Sequence, residues 1–233
     1  MWSRSAGGVW LLVLALITAS VARADGEEPP NCAKEIAALV QARYDGVEDV
    51  EARFTQRSRS VALGGAAQEF VASGVAIFAK PGRMRWTYEK PEPSLVVSDG
   101  QTLWIYDPAA REAQEFPVGA AFLSGTAVQF LLGEGHILSA FDVHAEQCTG
   151  EAVRLLLRPR ADATYERLEL LVAPKTGDVR ATAVVDLFGN RTDVTFESLR
   201  VDRHPEPSRF RFEAEPGVRV LRASEPGGGD VSQ

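Results

Sequence analysis

The sequence predicts a mainly β domain with short helices, folded as one large, curved antiparallel sheet or barrel. Two observations predict it: about ten or eleven short apolar segments bounded by turn residues, and only two segments with helical spacing. The clearest turn is Asp99-Gly100, which lies between two apolar segments, and both residues tolerate a positive φ. Strands of this length joined by tight hairpins favour one curved sheet, and a β-sandwich is the alternative.

The elements follow one another along the chain without internal repeats. The first helix is predicted after Asn31, a capping residue, because Ile36, Leu39, Val40 and Tyr44 fall on one helical face. A second short helix is predicted at 126–132, where capping-box spacing precedes apolar residues on one face. Eleven strands are predicted, at 47–59, 70–79, 84–88, 94–98, 102–106, 112–118, 140–145, 152–158, 165–172, 179–187 and 191–201. Two short closing strands are predicted at 209–212 and 218–221.

Both ends of the chain are predicted to lie outside the domain. Arg4, an apolar stretch at 9–17 and the small-x-small pattern Ala22-Arg23-Ala24 predict a signal peptide over residues 1–24. The stretch is shorter than the about 20 residues that span a bilayer, although an uncleaved anchor is the alternative. Residues 223–233 are Gly-rich without apolar anchors and are predicted to be disordered, which leaves a domain at 25–222.

Charge narrows the possible partners. The chain carries a formal charge of −7, and removal of the leader with its two arginines gives 23 − 32 = −9. An acidic chain argues against nucleic acid as a partner and against simple adhesion to anionic lipid. Export would place the protein in an oxidising compartment, so a disulfide between Cys32 and Cys148 is expected, with two unpaired thiols as the alternative.

Motifs for catalysis are missing from the sequence. The three histidines His136, His144 and His204 lack metal-ligand spacing, so neither a metal nor another cofactor is predicted. Gly133-Glu134-Gly135 has no third glycine at the offset of a phosphate loop, and Ser124 lacks a nucleophile elbow. These patterns predict a binding protein without catalytic residues, while an active site assembled from distant residues is left open.

Apolar and aromatic residues are concentrated in the middle third of the chain. They form either an ordinary core or the lining of a cavity for acyl chains. Side chains alternate along strands, so not all of them can face one side; Met84, Trp86, Val97, Trp104 and Phe130 are favoured. The predicted lipid-binding residues are Met84, Trp86, Leu95, Val97, Trp104, Tyr106 and Phe130.

Several motifs follow one another along the chain. They are Phe54-x-Gln56, the segment 74–108 with Lys80-Pro81, Arg85-Trp86 and Val97-Ser98-Asp99-Gly100, the hairpin Asp186-x-x-Gly189-Asn190-x-Thr192, and Phe210-x-Phe212 followed by Pro216-Gly217-Val218. In their order and spacing these motifs are similar to those of the LolA family of periplasmic carriers of outer-membrane lipoproteins. The resemblance spans about residues 33 to 222.

This resemblance implies an unclosed β-barrel lidded by helices, with a hydrophobic cavity for the acyl chains of lipoproteins. It also implies a monomeric periplasmic carrier that accepts cargo from an inner-membrane lipoprotein-releasing complex and delivers it to an outer-membrane acceptor, without a cofactor. Lys80 stands where the family often has an arginine that holds the lid, and Arg83 and Arg85 are alternatives for this role. A lipid or lipoprotein sensor, a carrier of another envelope lipid and an unrecognised hydrolase are the competing functions.

Overall fold

The fold is a twelve-stranded sheet with a helix packed on one face. The computed structural model describes residues 32–61, 68–118 and 135–222. The leader, the helix predicted at 126–132, Phe130 and the C-terminal tail lie outside the described residues. The helices are α1 (Cys32–Asp45) and α2 (Ile137–Ala140), and the strands are β1 (Asp49–Ser60), β2 (Gln68–Ala79), β3 (Arg83–Lys90), β4 (Ser94–Ser98), β5 (Thr102–Asp107), β6 (Glu112–Pro117), β7 (Phe141–Ala145), β8 (Val153–Pro159), β9 (Tyr165–Val172), β10 (Val179–Asp186), β11 (Arg191–Val201) and β12 (Arg219–Arg222).

The strand order is β12-β6-β5-β4-β3-β2-β1-β11-β10-β9-β8-β7. It consists of two antiparallel meanders, β1–β6 and β7–β11, joined where β1 pairs with β11. The predicted hairpin at Asp99-Gly100 is confirmed as the turn between β4 and β5. The prediction of an antiparallel sheet is confirmed for β1 to β11, whereas β12 pairs with β6 in parallel.

The sheet must curl, although it does not close. Twelve strands would span about 50 Å if flat, whereas one helix is about 10 Å wide. Yet a single apolar cluster contains residues from α1 and from strands as far apart in the sheet as β5 and β8. We call the face that carries this cluster the inner face. The sheet's edge strands, β12 and β7, are not paired with each other, so the prediction of an unclosed barrel is confirmed.

The opposite face of β1–β6, the outer face, is crossed by the segment 202–218, here called the strap. The strap begins beside β1, where the Asp49 carboxylate accepts the backbone N–H groups of Arg203 and His204, each at 2.8 Å. Phe210 is then fully buried against Ile77 and Ala79 of β2. The strap therefore gives one half of the sheet a second apolar layer.

The strand predicted at 209–212 is wrong. Residues Pro207–Phe210 form a single turn of 3-10 helix, and 211–212 are not paired with any strand. Pro207 occupies the first turn of this helix, where its missing N–H has no cost. The apolar spacing of Phe210 and Phe212 reflects packing onto the outer face instead of strand pairing.

An ion-pair network lies on the outer face of the other half of the sheet. The side chain of Glu169 is only 6% exposed and accepts hydrogen bonds from Arg154, Arg167 and Arg191 at 2.8–3.1 Å. Burial raises the pKa of Glu169, but the three arginines outweigh burial and lower it to about 2. Hydrogen bonds to Glu169 and Asp193 raise the pKa of Arg191. The network therefore holds a charge that is almost sealed from water.

The predicted disulfide is confirmed, because Cys32 and Cys148 are bonded with their Cα atoms 6.3 Å apart. This Cα separation lies in the normal range for disulfides. The bond ties the first residue of α1 to the turn between β7 and β8. It therefore anchors the N-terminal end of α1 covalently to the sheet.

Candidate functional site

Four aromatic residues meet on the inner face. Phe54 packs edge-on against Trp86 and Tyr88, with ring centroids 4.7 and 5.1 Å apart, and Phe78 packs edge-on against Trp86 at 5.3 Å. These T-shaped arrangements are favourable because the positive edge of one ring faces the negative face of another. We call Phe54, Phe78, Trp86 and Tyr88 the aromatic cluster. It provides a rigid apolar surface formed by β1, β2 and β3.

A glycine allows the aromatic cluster to form. Gly74 of β2 lies opposite both Phe54 and Tyr88 in the sheet. A Cβ atom at this position would lie 1.9 Å from the backbone oxygen of Thr87, so β2 and β3 could not approach as they do. Any side chain at position 74 would therefore displace the strands that carry Phe54 and Tyr88.

The structure divides the predicted lipid-binding residues between two faces. Met84 and Trp86 lie on the inner face, opposite Phe78 and Ala76. Because side chains alternate along strands and residues paired across strands share a face, the other predicted positions of β4 and β5 lie on the outer face. These are Leu95, Val97, Trp104 and Tyr106. Phe130 lies outside the described residues, so the structure brings together only Met84 and Trp86.

The outer-face position of Tyr106 is confirmed by its contact with Phe212 of the strap, at 5.0 Å between ring centroids. Arg85, which faces the same side as Val97, donates a hydrogen bond to the backbone oxygen of Arg209 at 3.0 Å. The outer-face members of the predicted set are therefore covered, at least in part, by the strap.

Sequence reasoning missed three inner-face residues, Phe54, Val96 and Ile105. Val96 lies opposite Trp86 and Ile105 in the sheet, which places it beside the aromatic cluster. Val96 and Ile105 are partly exposed, as are Tyr88 and Phe116 on the same face. Counting alternate positions outward from Trp86 through the β3–β4 hairpin would have found Val96. The β4–β5 turn shifts the alternation by one residue, so the same count reaches Trp104, and Ile105 is found only from its pairing with Val96.

A polar border ends the apolar inner face. The hydroxyl of Tyr88 donates to Gln56 at 3.0 Å, Gln56 donates to Ser58 at 3.2 Å, and Ser58 shares a hydrogen bond with Thr192 at 3.2 Å. Burial raises the pKa of Tyr88, so its hydroxyl stays protonated and acts as a donor. The inner face thus changes from aromatic to polar along β1, between Phe54 and Ser58.

The helix α1 is held at both ends. At its C-terminal end the Lys80 ammonium donates to the backbone oxygens of Tyr44 and Asp45, at 2.7 and 3.2 Å. Arg43 pairs with Asp178 at 2.9 Å, and the hydroxyl of Tyr44 accepts the N–H of Val179 at 3.1 Å. A cation at a helix C-terminus satisfies carbonyls that have no partner within the helix. Lys80 therefore bonds the C-terminal end of α1 to the sheet.

Arg83 and Arg85, the other two candidates for holding α1, bond other parts of the chain. Arg83 donates to the backbone oxygen of Lys80 at 2.7 Å and lies over the ring of Phe210, with its Cζ 5.2 Å from the centroid. Arg85 reaches the strap. Among the described residues, Lys80 is the basic side chain of this segment that bonds α1.

We expect Lys80→Met to loosen the C-terminal end of α1. Loss of charge-assisted hydrogen bonds to two helix carbonyls should lower the free energy of unfolding by about 1–2 kcal/mol. Hydrogen–deuterium exchange should also become faster at the last turn of α1. Lys34→Met, which alters an exposed lysine at the other end of α1, is the matched control and should leave both quantities unchanged. Equal hydrogen–deuterium exchange rates in Lys80→Met and wild type would show that Lys80 does not hold the C-terminal end of α1.

Two surface clefts lie at the ends of α1. One, of about 520 Å³, is bounded by the N-terminus of α1 and by β7, and includes Phe141, Val143 and Leu138. The other, of about 640 Å³, lies beside Lys80 and includes Asp49, Arg83 and His204. Within the described ranges, no three His, Cys, Asp or Glu residues are grouped to hold a metal ion. No helix in the same ranges is long and apolar enough to cross a membrane.

The comparisons with known proteins agree with this architecture. Residues 45–213 match the family model for the outer membrane lipoprotein carrier protein LolA. An outer-membrane lipoprotein carrier protein from Chromobacterium violaceum is 32% identical over 207 residues, covering 88% of this chain and 96% of the relative. One of the same name from Cupriavidus taiwanensis is 30% identical over 184 residues, covering 78% and 86%.

Among solved structures, an uncharacterized conserved protein from Thermus thermophilus matches with a TM-score of 0.49 and 15% identity, covering 82% of this chain and 99% of that one. The family assignment rests on the sequence matches. The unclosed barrel with a helix against an apolar inner face is the architecture that the resemblance of the sequence to the lipoprotein-carrier class implied. The chain belongs to the LolA family of outer-membrane lipoprotein carriers.

Proposed function

We propose that the chain is a periplasmic carrier, without catalytic activity, that holds the acyl chains of lipoproteins against the inner face of β3–β6. It receives them from an inner-membrane releasing complex and passes them to an outer-membrane acceptor. The observation that carries this proposal is the partly exposed apolar surface of Val96, Ile105, Tyr88 and Phe116 beside the aromatic cluster, in a member of the LolA family.

The energetics of acyl chains explain why such a surface is needed. Each CH₂ group gains about 0.8 kcal/mol on leaving water, so a triacylated anchor would cost on the order of tens of kcal/mol to move unaided through water. A carrier must offer comparable apolar area, and it must still release the cargo. A surface that is rigid at the aromatic cluster and partly exposed beyond it meets both needs.

The way in which α1 is attached suggests how it serves as a lid. Its N-terminal end is bonded covalently through Cys32, whereas its C-terminal end is held by the Lys80 hydrogen bonds and the Arg43–Asp178 ion pair. Non-covalent contacts can be broken and re-formed during each transfer. Three residues connect α1 to β1, so we infer that opening is limited to a loosening of the last turn of α1, while the disulfide keeps its N-terminal end on the sheet.

The test is the release of a triacylated lipoprotein from inner-membrane vesicles into solution by purified protein. Val96→Glu and Leu95→Glu form a matched pair, because both positions are partly exposed in β4 but face opposite sides. An unpaired carboxylate beside acyl chains is costly, so Val96→Glu should reduce transfer by at least roughly tenfold. Leu95→Glu should stay within about twofold of wild type on the same argument.

Thermal unfolding of both variants shows whether a loss of transfer comes from a changed binding surface or from an unfolded protein. Met84 is less suitable for this test because it is 4% exposed, so a charge there would disrupt the core. If wild-type protein releases no lipoprotein, the carrier function is wrong. If Leu95→Glu impairs transfer as much as Val96→Glu while both remain folded, the assignment of the inner face as the binding face is wrong.

A further inference from the structure

Exposed apolar side chains are concentrated at one end of the sheet. Of the seven large hydrophobic residues that are exposed in the described ranges, five lie where β1 ends, β2 begins and β10 turns into β11. Phe188 is 84% exposed and Leu187 65%, and Val61 and Phe70 are 61% and 52% exposed. We call Val61, Phe70, Leu187 and Phe188 the apical patch. Single exposed apolar residues are common on protein surfaces, whereas such a group marks an interaction site.

The turn that carries the apical patch is held in place by its own polar residues. The carboxylate of Asp186 accepts the N–H of Phe188 at 2.8 Å, and the N–H and side-chain amide of Asn190 at 2.9 and 2.7 Å. The Asn190 side-chain oxygen accepts the N–H of Val61 at 2.9 Å, which ties the turn to β1. Leu187 and Phe188 are therefore displayed by an ordered turn, which reduces the entropy lost on binding.

Most of the charges beside the apical patch are paired. Arg57 and Arg59 contact Glu69 at 3.2 and 3.4 Å, and Arg191 contacts Glu169 and Asp193, both at 2.8 Å. With the Asp186 carboxylate of the turn, these neighbours carry 3 − 4 = −1, so the patch is nearly neutral, although the chain as a whole carries −7. A neutral surface matches the zwitterionic part of a membrane interface, and an acidic protein gains nothing from anionic lipid.

We propose that the apical patch inserts into the interfacial layer of a lipid membrane. Leu187 and Phe188 project from the tip of a hairpin, and a fluid acyl layer accommodates such a projection without a shaped groove in the partner. The polar border at Ser58 lies one strand pair from Phe70, so insertion would bring lipid close to the end of the inner face. This contact needs no bound cargo and is independent of the proposed function.

The experiment measures binding of full-length mature protein, without cargo, to vesicles of phosphatidylethanolamine and phosphatidylcholine. The double variant Leu187→Ser/Phe188→Ser should partition into vesicles at least roughly tenfold less than wild type, since two apolar side chains no longer leave water. Leu221→Ser is the matched control, because Leu221 is also exposed, at 42%, but lies on β12. It should bind within about twofold of wild type. Binding should persist in 0.5 M salt, because screening weakens charge attraction but not apolar burial.

A second measurement tests directly whether the tip of the β10–β11 hairpin enters the bilayer. The emission of a Phe188→Trp variant should shift to the blue on vesicle addition and be quenched by lipids brominated on their acyl chains. If wild-type protein does not bind these vesicles, the proposal is wrong. This is the result expected of a surface that binds a protein partner. The proposal is also wrong if the double variant binds like wild type, or if brominated lipids leave the Phe188→Trp emission unquenched.

Discussion

The double variant Cys32→Ser/Cys148→Ser should have a free energy of unfolding lower than that of the wild type by up to about 4–5 kcal/mol. This is the largest effect expected from any change described above. The two residues are 116 positions apart, so the disulfide restricts a long segment of the unfolded chain. In the folded state it also anchors the N-terminal end of α1. Urea unfolding of the oxidised wild type and the double variant measures the difference.

The wild type treated with dithiothreitol is the matched control for this prediction. Reduction leaves both sulfur atoms in place, so the reduced wild type and the double-serine variant should unfold at similar urea concentrations. Equal stability of oxidised and reduced wild type would show that the bond constrains neither the unfolded chain nor α1.

Replacement of Glu169 by glutamine should cost about 2–3 kcal/mol at pH 7, because three arginines would surround a neutral group that is almost sealed from water. The pKa of Glu169 is lowered from 4.5 to about 2 in the folded protein. A lowered carboxyl pKa stabilises the fold fully above the unfolded value, and this effect is lost progressively as the pH falls from the unfolded value to below the folded value. The cost of Glu169→Gln should therefore shrink to roughly half or less at pH 3.

Glu166→Gln is the matched control, since Glu166 pairs with one of the same arginines, Arg167, but is 47% exposed. Exposed ion pairs contribute little, so this variant should lose less than about 1 kcal/mol. Urea unfolding of both variants at pH 7 and pH 3 gives the comparison. An equal cost of Glu169→Gln at the two pH values would show that its charge does not stabilise the fold.

The sequence predicted most strands because turn residues mark their ends clearly. Residues 94–98, 165–172 and 191–201 form strands with the predicted bounds. The four-residue helix α2 was not predicted, because one turn is too short to show a helical period. The strand at 209–212 failed because burial by tertiary contacts, as with Phe210 on β2, produces the same apolar spacing as strand pairing.

The candidate site was predicted only in part, for a reason visible in β4 and β5. Both strands read as continuous apolar segments, Leu95-Val96-Val97 and Leu103-Trp104-Ile105-Tyr106. Alternation identifies the buried face only when the other face is polar, and here the strap covers the second face. The side that Trp104 faces depends on a segment about a hundred residues away, which local sequence patterns do not report.

The strand order also determines when the domain can be completed as the chain emerges. The pairing of β1 with β11 joins residues as far apart as Val50 and Val201, so it closes a long loop and forms late. The meander β1–β6 can form from local hairpins while the C-terminal third is still being synthesised. During that interval one side of β1 has unpaired backbone N–H and C=O groups, the condition in which strand edges aggregate. Nascent chains of this topology therefore depend on rapid delivery of β11, or on a chaperone that shields β1 until β11 arrives.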